Sequence, residues 1–269
     1  MRLPAVLAVL LVAVPICVAQ AAEVAAPHAA VALAAHRAEY SLTLDSARDS
    51  DVIAARGTMG YEVLNACDGW AVRQRLDMTV TNSDGQDVHM ISDYATWEAM
   101  DGLKLRFHMT QQTDSAITAQ TDGEAVLEHA GGPGVAHYTV PKTATVPLPV
   151  GTLFPMAHTA AIIAAARGGK KFLALPLFDG TDDSGAEDTS IAIIDWKPPF
   201  KTEWPFLTEL PSTRVRLAFF ERKPDTMMPD YQVGMRYWEN GVADDMQMDF
   251  GDFVMDAKLT KLVPQPHKC

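Results

Sequence analysis

The chain has 269 residues, 48% of them hydrophobic and 21% charged. That apolar fraction excludes a disordered chain, and at this length about 70–75% of the unfolded surface can be buried, so a core forms without a metal to hold it. Lys and Arg number 22 against 34 Asp and Glu, a net charge of −12, with no basic run longer than Lys170-Lys171; this excludes long-range attraction to nucleic acid or anionic lipid head groups.

Residues 1–22 read as a cleaved signal peptide. Arg2 is the positive n-region, Leu3 to Val14 is apolar except for Pro4, and Ala19-Gln20-Ala21 offers a small-residue cleavage site after Ala21 or Ala22. The run is too short to span a bilayer of about 30 Å, no later segment reaches 18 apolar residues, and a transmembrane protein is not expected. Ile16 before Cys17 argues against lipidation there. Cleavage takes Lys plus Arg from 22 to 21 and leaves all 34 acids, so the mature charge is −13. It also removes Cys17 and leaves Cys67 and Cys269. An even count in an oxidising compartment reads as one disulfide. The alternatives are two free thiols, or a Cys269 that pairs with another chain. A bridge would close about 200 residues, for which loop entropy sets an upper estimate near 5 kcal/mol.

Residues 23–35 form an Ala-rich leader or first helix. From His36 the pattern alternates with a period of two. Tyr40, Leu42 and Leu44 form one such face, and Trp70, Val72, Leu76, Met78 and Val80 another, with Gln74 among them. Leu103, Leu105, Phe107 and Met109 make a third, and Val215, Leu217 and Phe219 a fourth. These are strands with one buried and one wet face. Asp-Gly pairs at 68–69, 84–85, 101–102, 122–123 and 179–180, and Asn240-Gly241, supply the positive φ that tight turns need, so the strands form an antiparallel meander. Asn240-Gly241 separates runs at 231–238 and 242–250. One segment differs. Pro155 to Arg167 opens on Pro, is Ala-rich and ends on Gly168-Gly169, which predicts a helix of about three turns. It is apolar almost all round and should be buried. The expected fold is mainly β, a spiral-like broken barrel of antiparallel strands around one buried central helix at about 155–167. Pro198-Pro199 and Pro205 mark a loop. No linker divides residues 36–269, which read as a single domain.

No chemistry announces itself. The eight histidines, His28, His36, His89, His108, His129, His137, His158 and His267, show no metal-ligand spacing, and no zinc-type cysteine pairs occur. The acidic run Asp179, Asp182, Asp183, Glu187 and Asp188 fails the calcium-loop order at Ser184 and reads as a solvated loop. Asp244, Asp245, Asp249 and Asp252 follow a hairpin turn, and strand alternation should send Asp244 and Asp245 to opposite faces. Gly131-Gly132-Pro133-Gly134 is a loop, and no nucleophile elbow or dinucleotide motif is present. His158 is the one ionisable group on the apolar helix, a satisfied core histidine or a relay. Catalytic residues, metal and cofactors are therefore expected to be none, and the ligand-binding residues are unassigned. Thirteen methionines would suit an adaptable apolar cavity.

Several phrases together carry a resemblance. They are Cys67-Asp68-Gly69-Trp70, Thr96-Trp97-Glu98-Ala99 with Asp101-Gly102, Gly151-Thr152-Leu153-Phe154-Pro155 within 148–159, and Phe178-Asp179-Gly180. Arg216-Leu217-Ala218-Phe219-Phe220 and Glu239 to Asp245, running on to Gly251-Asp252-Phe253, complete the set. The chain resembles the EipB family of periplasmic cell-envelope integrity proteins over about residues 36–269. The resemblance implies a β-spiral with a helix associated with its interior, a Cys67–Cys269 disulfide, a periplasmic location, and non-enzymatic upkeep of the Gram-negative envelope. It brings no catalytic residues. The expected role is a binding or scaffold module for a periplasmic or envelope protein partner. Carriage of lipid or lipoprotein acyl chains within the curved sheet is the alternative. A hydrolase using Asp244, Asp252 or His158 is the third reading.

Overall fold

The segments with a period of two become strands. A computed structural model describes residues 31–48, 51–223 and 226–266. In chain order they form β1 (His36–Ala47), β2 (Val52–Asn65), β3 (Gly69–Asn82), β4 (Asp87–Ala99), β5 (Lys104–Thr113), β6 (Ala116–Leu127), β7 (Gly134–Val140) and β8 (Ala144–Leu148). The helix α1 (Pro155–Arg167) follows. Then come β9 (Phe172–Leu177), β10 (Glu187–Ile193), β11 (Ser212–Phe220), β12 (Tyr231–Trp238), β13 (Ala243–Asp249) and β14 (Phe253–Pro264).

All fourteen strands belong to one antiparallel sheet. Its order runs from β8 down to β1, then from β14 down to β9. Every pair of consecutive strands is hydrogen-bonded except β8 and β9, and β1 also joins β14, from His36↔Pro264 to Ala47↔Phe253. β8 and β9 are the two ends of the sheet, and they do not form a ladder with each other. Leu153 lies between them: its N–H donates to Pro176 O at 2.9 Å, and its carbonyl accepts from Phe178 N at 3.0 Å, a short parallel bridge along β9. The barrel is therefore curled and open.

The helix spans the residues its sequence predicts. Pro155 sits at the first turn, where its missing N–H costs nothing. At the other end Gly169 takes φ 76°, and Lys170 N donates to Ala165 O. No residue of α1 is exposed. Ile162 and Ala166 enter the main core beside Tyr40 and Leu42 of β1, Leu217 of β11 and Met255 of β14. A second cluster joins Leu105 and Phe107 of β5, Tyr138 of β7, Phe154 before the helix and Phe178 after β9.

Two turn readings change. Asp84-Gly85 and Asp101-Gly102 turn as expected, with the glycines at φ 83° and 69°. Asp122-Gly123, however, lies inside β6. A Cβ on Gly123 would lie 2.2 Å from His137 O, so this glycine serves a close strand approach and a register shift rather than a hairpin. The β5–β6 turn is made by Asp114 and Ser115 at φ 49° and 70°, short polar residues in a region most side chains avoid. At the β2–β3 turn the positive φ, 73°, belongs to Cys67, and Gly69 already begins β3.

Candidate binding site inside the sheet

The concave face of the sheet and the first turn of α1 line a partly open cavity of about 250 Å³. Most of its wall is apolar: Met59 and Val63 of β2, Leu217 of β11, Met235 of β12 and Met246 of β13. Four tyrosines, Tyr40, Tyr61, Tyr94 and Tyr237, add ring faces. Burial pushes all four hydroxyls above their usual range, so they are neutral. Tyr40 donates to Ala243 O and Tyr94 to Asp179 O, each at 2.8 Å.

Glu98 seats the helix at this cavity. The Phe154 cap position offers no side-chain hydrogen bond, so the free N–H groups of the first turn need another acceptor. Glu98, 58 residues earlier on β4, supplies it. Its carboxylate accepts from Met156 N at 2.7 Å and Ala157 N at 2.9 Å. The side chain is 2% exposed, and burial pushes its carboxyl up to about 7 against the pull of those two N–H groups. A negative group here also meets the positive end of the helix.

His158, the next residue along, is a satisfied core histidine. Thr189 donates its only hydroxyl proton to Leu175 O at 2.7 Å, so it accepts at 2.9 Å from His158 Nε2–H. Burial holds this imidazole down at about 4, and it is neutral.

Leu33 and Ala34, just before β1, also line the cavity. Ala34 N donates to Asn240 O at 2.9 Å, and Ala34 O accepts from His36 Nδ1 at 2.8 Å. One short segment thus holds both His36 and Asn240, and both line the cavity. A carbonyl accepts only, so His36 carries its proton on Nδ1. Burial lowers its pKa and keeps it neutral, which leaves Nε2 a bare acceptor. Asn240 Oδ1 accepts from Val242 N at 3.2 Å. His36 Nε2 and Asn240 Nδ2 are buried and have no hydrogen-bond partner among the described residues.

The residues singled out in the sequence do not gather here. Asp244 and Asp245 share one face, contrary to the alternation expected. The β12–β13 register shifts between Gly234 and Arg236, Asp245 takes φ 50°, and the bulge sends both carboxylates outward between the inward-facing Ala243 and Met246. Asp245 then pairs with Arg214. Asp249 pairs with Arg48 at 2.6 Å, and Asp252 sits in the β13–β14 turn. Asp244 and Asp252 therefore do not meet His158.

The acidic stretch 179–188 is less solvated than expected. Gly180, Gly185 and Ala186 are buried. A Cβ on Gly180, at φ 78°, would lie 2.3 Å from the Phe107 ring. Thr181 and Ser184 satisfy Asp179 and Asp182, and burial with the neighbouring acids pushes Glu187 up to about 8. No metal-holding group of three His, Cys, Asp or Glu occurs among the described residues. Cys67 lies at the exposed tip of the β2–β3 turn, where its N–H donates to Asn65 Oδ1 at 2.9 Å. Cys269 lies outside the described residues, as do residues 1–30.

An open antiparallel spiral around a helix defines a β-barrel-like class, and a known structure shares it. The crystal structure of a beta-barrel-like protein of domain of unknown function DUF1849 from Brucella abortus matches with a TM-score of 0.79. It is 30% identical and covers 88% of this chain and 100% of that one. The EipB-like family model matches residues 27–266, and the chain belongs to that family. A curated relative, the cell envelope integrity protein EipB of Brucella abortus (strain 2308), is 32% identical over 250 residues, 87% of this chain and 85% of that protein.

Proposed function

We propose that this is a periplasmic, non-enzymatic protein that supports cell-envelope integrity by acting as a binding or scaffold module. The observation that carries the proposal is the cavity at the seat of α1, inside a sheet whose family includes a cell envelope integrity protein. Asp244, Asp252 and His158 lie apart, which weakens the hydrolase reading. Acyl-chain carriage is weaker too, because α1 takes up interior space that a chain would need. In the native host, a deletion strain is expected to be more sensitive than wild type to detergent and to wall-targeting antibiotics, and to be restored by the intact gene. Equal sensitivity of the two strains would overturn the proposal.

The proposal includes a mature chain starting after Ala21 or Ala22, a short leader, a single domain at 36–269 and a Cys67–Cys269 bridge. Reach supports the bridge: Pro264 pairs with His36, and His36 with Val63, so they sit side by side at one end of the sheet. Two strand spacings are about 10 Å, and Cys67 lies four residues beyond Val63. The five residues from Pro264 to Cys269 extend at most ~17 Å, enough for that diagonal. The unreduced protein from periplasm is expected to have a denatured mass two protons below that of the reduced mature chain. A full-proton mass, or a mass retaining residues 1–22, contradicts this part.

A further inference from the structure

The sheet ends on β9, and half of that edge is open. Ile193 N donates to Lys171 O, which therefore faces β10, while Pro176 O and Phe178 N turn the other way, to Leu153. Main-chain groups alternate sides along a strand, so Phe172 and Ala174 also point their N–H and C=O away from β10. Among the described residues no hydrogen bond engages these four groups, and both residues are exposed. Leu153 already pairs with the other half of the edge, as a short parallel bridge. β8, at the opposite end of the sheet, offers less, because Pro147 has no N–H to give. The side chains at the open half are unusual for this surface. Phe172 is 76% exposed, and Ile194, on the same outer face one strand over, is 58% exposed. Lys170 and Lys171 stand beside them, exposed and without an ion-pair partner among the described residues, in a chain of net charge −12. Arg222 and Lys223, another adjacent basic pair, are both held by acids, Asp188 and Glu221.

We propose that the open half of β9 is a docking edge for an extended acidic segment of another envelope protein, which adds a strand beyond Phe172 and Ala174. The inference deepens the binding role proposed above and rests on that reading. The main-chain groups set the mode: the incoming strand bonds to Phe172 and Ala174 as Leu153 bonds to Pro176 and Phe178. Charge sets the partner. β9 has no acid of its own, so two copies meeting edge to edge would bring four lysines together with nothing to neutralise them. An acidic segment neutralises Lys170 and Lys171, and an apolar residue among its acids covers Phe172 and Ile194.

The test uses the full mature protein and two labelled peptides, one alternating glutamate with valine and one alternating lysine with valine. Fluorescence polarisation is expected to show the acidic peptide binding at least about ten-fold tighter, with the gap shrinking as added salt screens the charges. Ala174→Pro removes an edge N–H that the fold does not use, and Pro176 already stands two residues on. It is expected to weaken the acidic peptide about ten-fold, while circular dichroism and thermal unfolding stay as in wild type. Lys170→Glu combined with Lys171→Glu is expected to reverse the preference between the peptides, and it decides the point if the proline variant does not fold. Equal affinity for the two peptides, binding of neither, or full affinity in a folded Ala174→Pro would overturn the inference. So would a wild-type dimer that Ala174→Pro dissociates, which would give the edge to a second copy of the chain. Complementation separates the inference from the function. If Ala174→Pro loses the peptide yet fully restores the deletion strain, the edge stands and its link to envelope integrity falls. If the deletion strain has no phenotype, the envelope role falls while the peptide data still judge the edge.

Discussion

Replacing Glu98 by alanine is expected to lower the unfolding free energy by about 2–4 kcal/mol, measured by chemical denaturation near neutral pH. Two donors, Met156 N and Ala157 N, lose their acceptor at once, and an orphaned buried donor costs about 1–3 kcal/mol. Pro155 and Phe154 offer no substitute, so the first turn of α1 frays away from β4. Glu98→Gln keeps one acceptor oxygen but turns an amide N–H₂ toward the second donor, and is expected to fall between wild type and alanine. A loss below about 1 kcal/mol for alanine would show that Glu98 does not anchor the helix.

The same residue gives a pH signature with a definite sign. Folding raises the Glu98 pKa from 4.5 to about 7, so the folded protein holds this proton more tightly than the unfolded chain. Its contribution is fully present below pH 4.5 and is lost as pH rises through 7. His158 acts in the opposite sense. Its pKa falls from 6.5 to about 4, so it contributes above pH 6.5, and that contribution is lost as pH drops through 4. The two partly cancel between pH 4.5 and 6.5 in wild type. The difference between wild type and Glu98→Gln isolates the carboxyl, and it should shift against wild type as pH rises from 4.5 to 7. A difference that stays flat with pH contradicts the assignment.

Phe178→Ala is expected to be the most damaging single truncation, at about 3–5 kcal/mol. The ring is fully buried, and its centroid lies 5.4 Å from Phe107 and 6.3 Å from both Tyr138 and Phe154, in edge-to-face contacts. These partners come from β5, β7 and the segment entering α1. Phe178 itself leaves β9, and its N–H donates to Leu153 O. One ring thus ties together the two ends of a sheet that has no ladder between them. Phe178→Leu keeps most of the volume and should cost clearly less. A loss under about 2 kcal/mol for alanine would mean that the seam is held elsewhere.

Local signals were legible and distant ones were not. The alternation of Tyr40, Leu42, Val215 and Leu217 marks strands because one face must be buried, and Pro155 and Gly168-Gly169 bound the helix because both residue types have local backbone preferences. Asp122-Gly123 misleads as a turn because the need for glycine arises from His137, on a different strand. The same holds for the site. Glu98 stands in a strand with weak alternation, and its role depends on N–H groups 58 residues away. Asn240 reads as half of a turn pair, and it is one; nothing local reveals that the residue also lines a cavity. The bulge at Asp244 and Asp245 reverses a face assignment that simple alternation makes confidently.

The order of strands has a consequence for the nascent chain. β1 is made first among the strands and β14 last, yet they are neighbours in the middle of the sheet, with Leu42 opposite Ala257. Strands β1 to β8 can zip up hairpin by hairpin as they emerge. The outer rim of β1 then keeps a row of unsatisfied main-chain groups until more than 200 further residues have been made. Such a rim is a template for the wrong partner, and its closure is the slowest kind of contact to find. A truncation that omits only β14 therefore bares two strand edges in the middle of the sheet, those of β1 and β13, where loss of β8 or β9 would bare one.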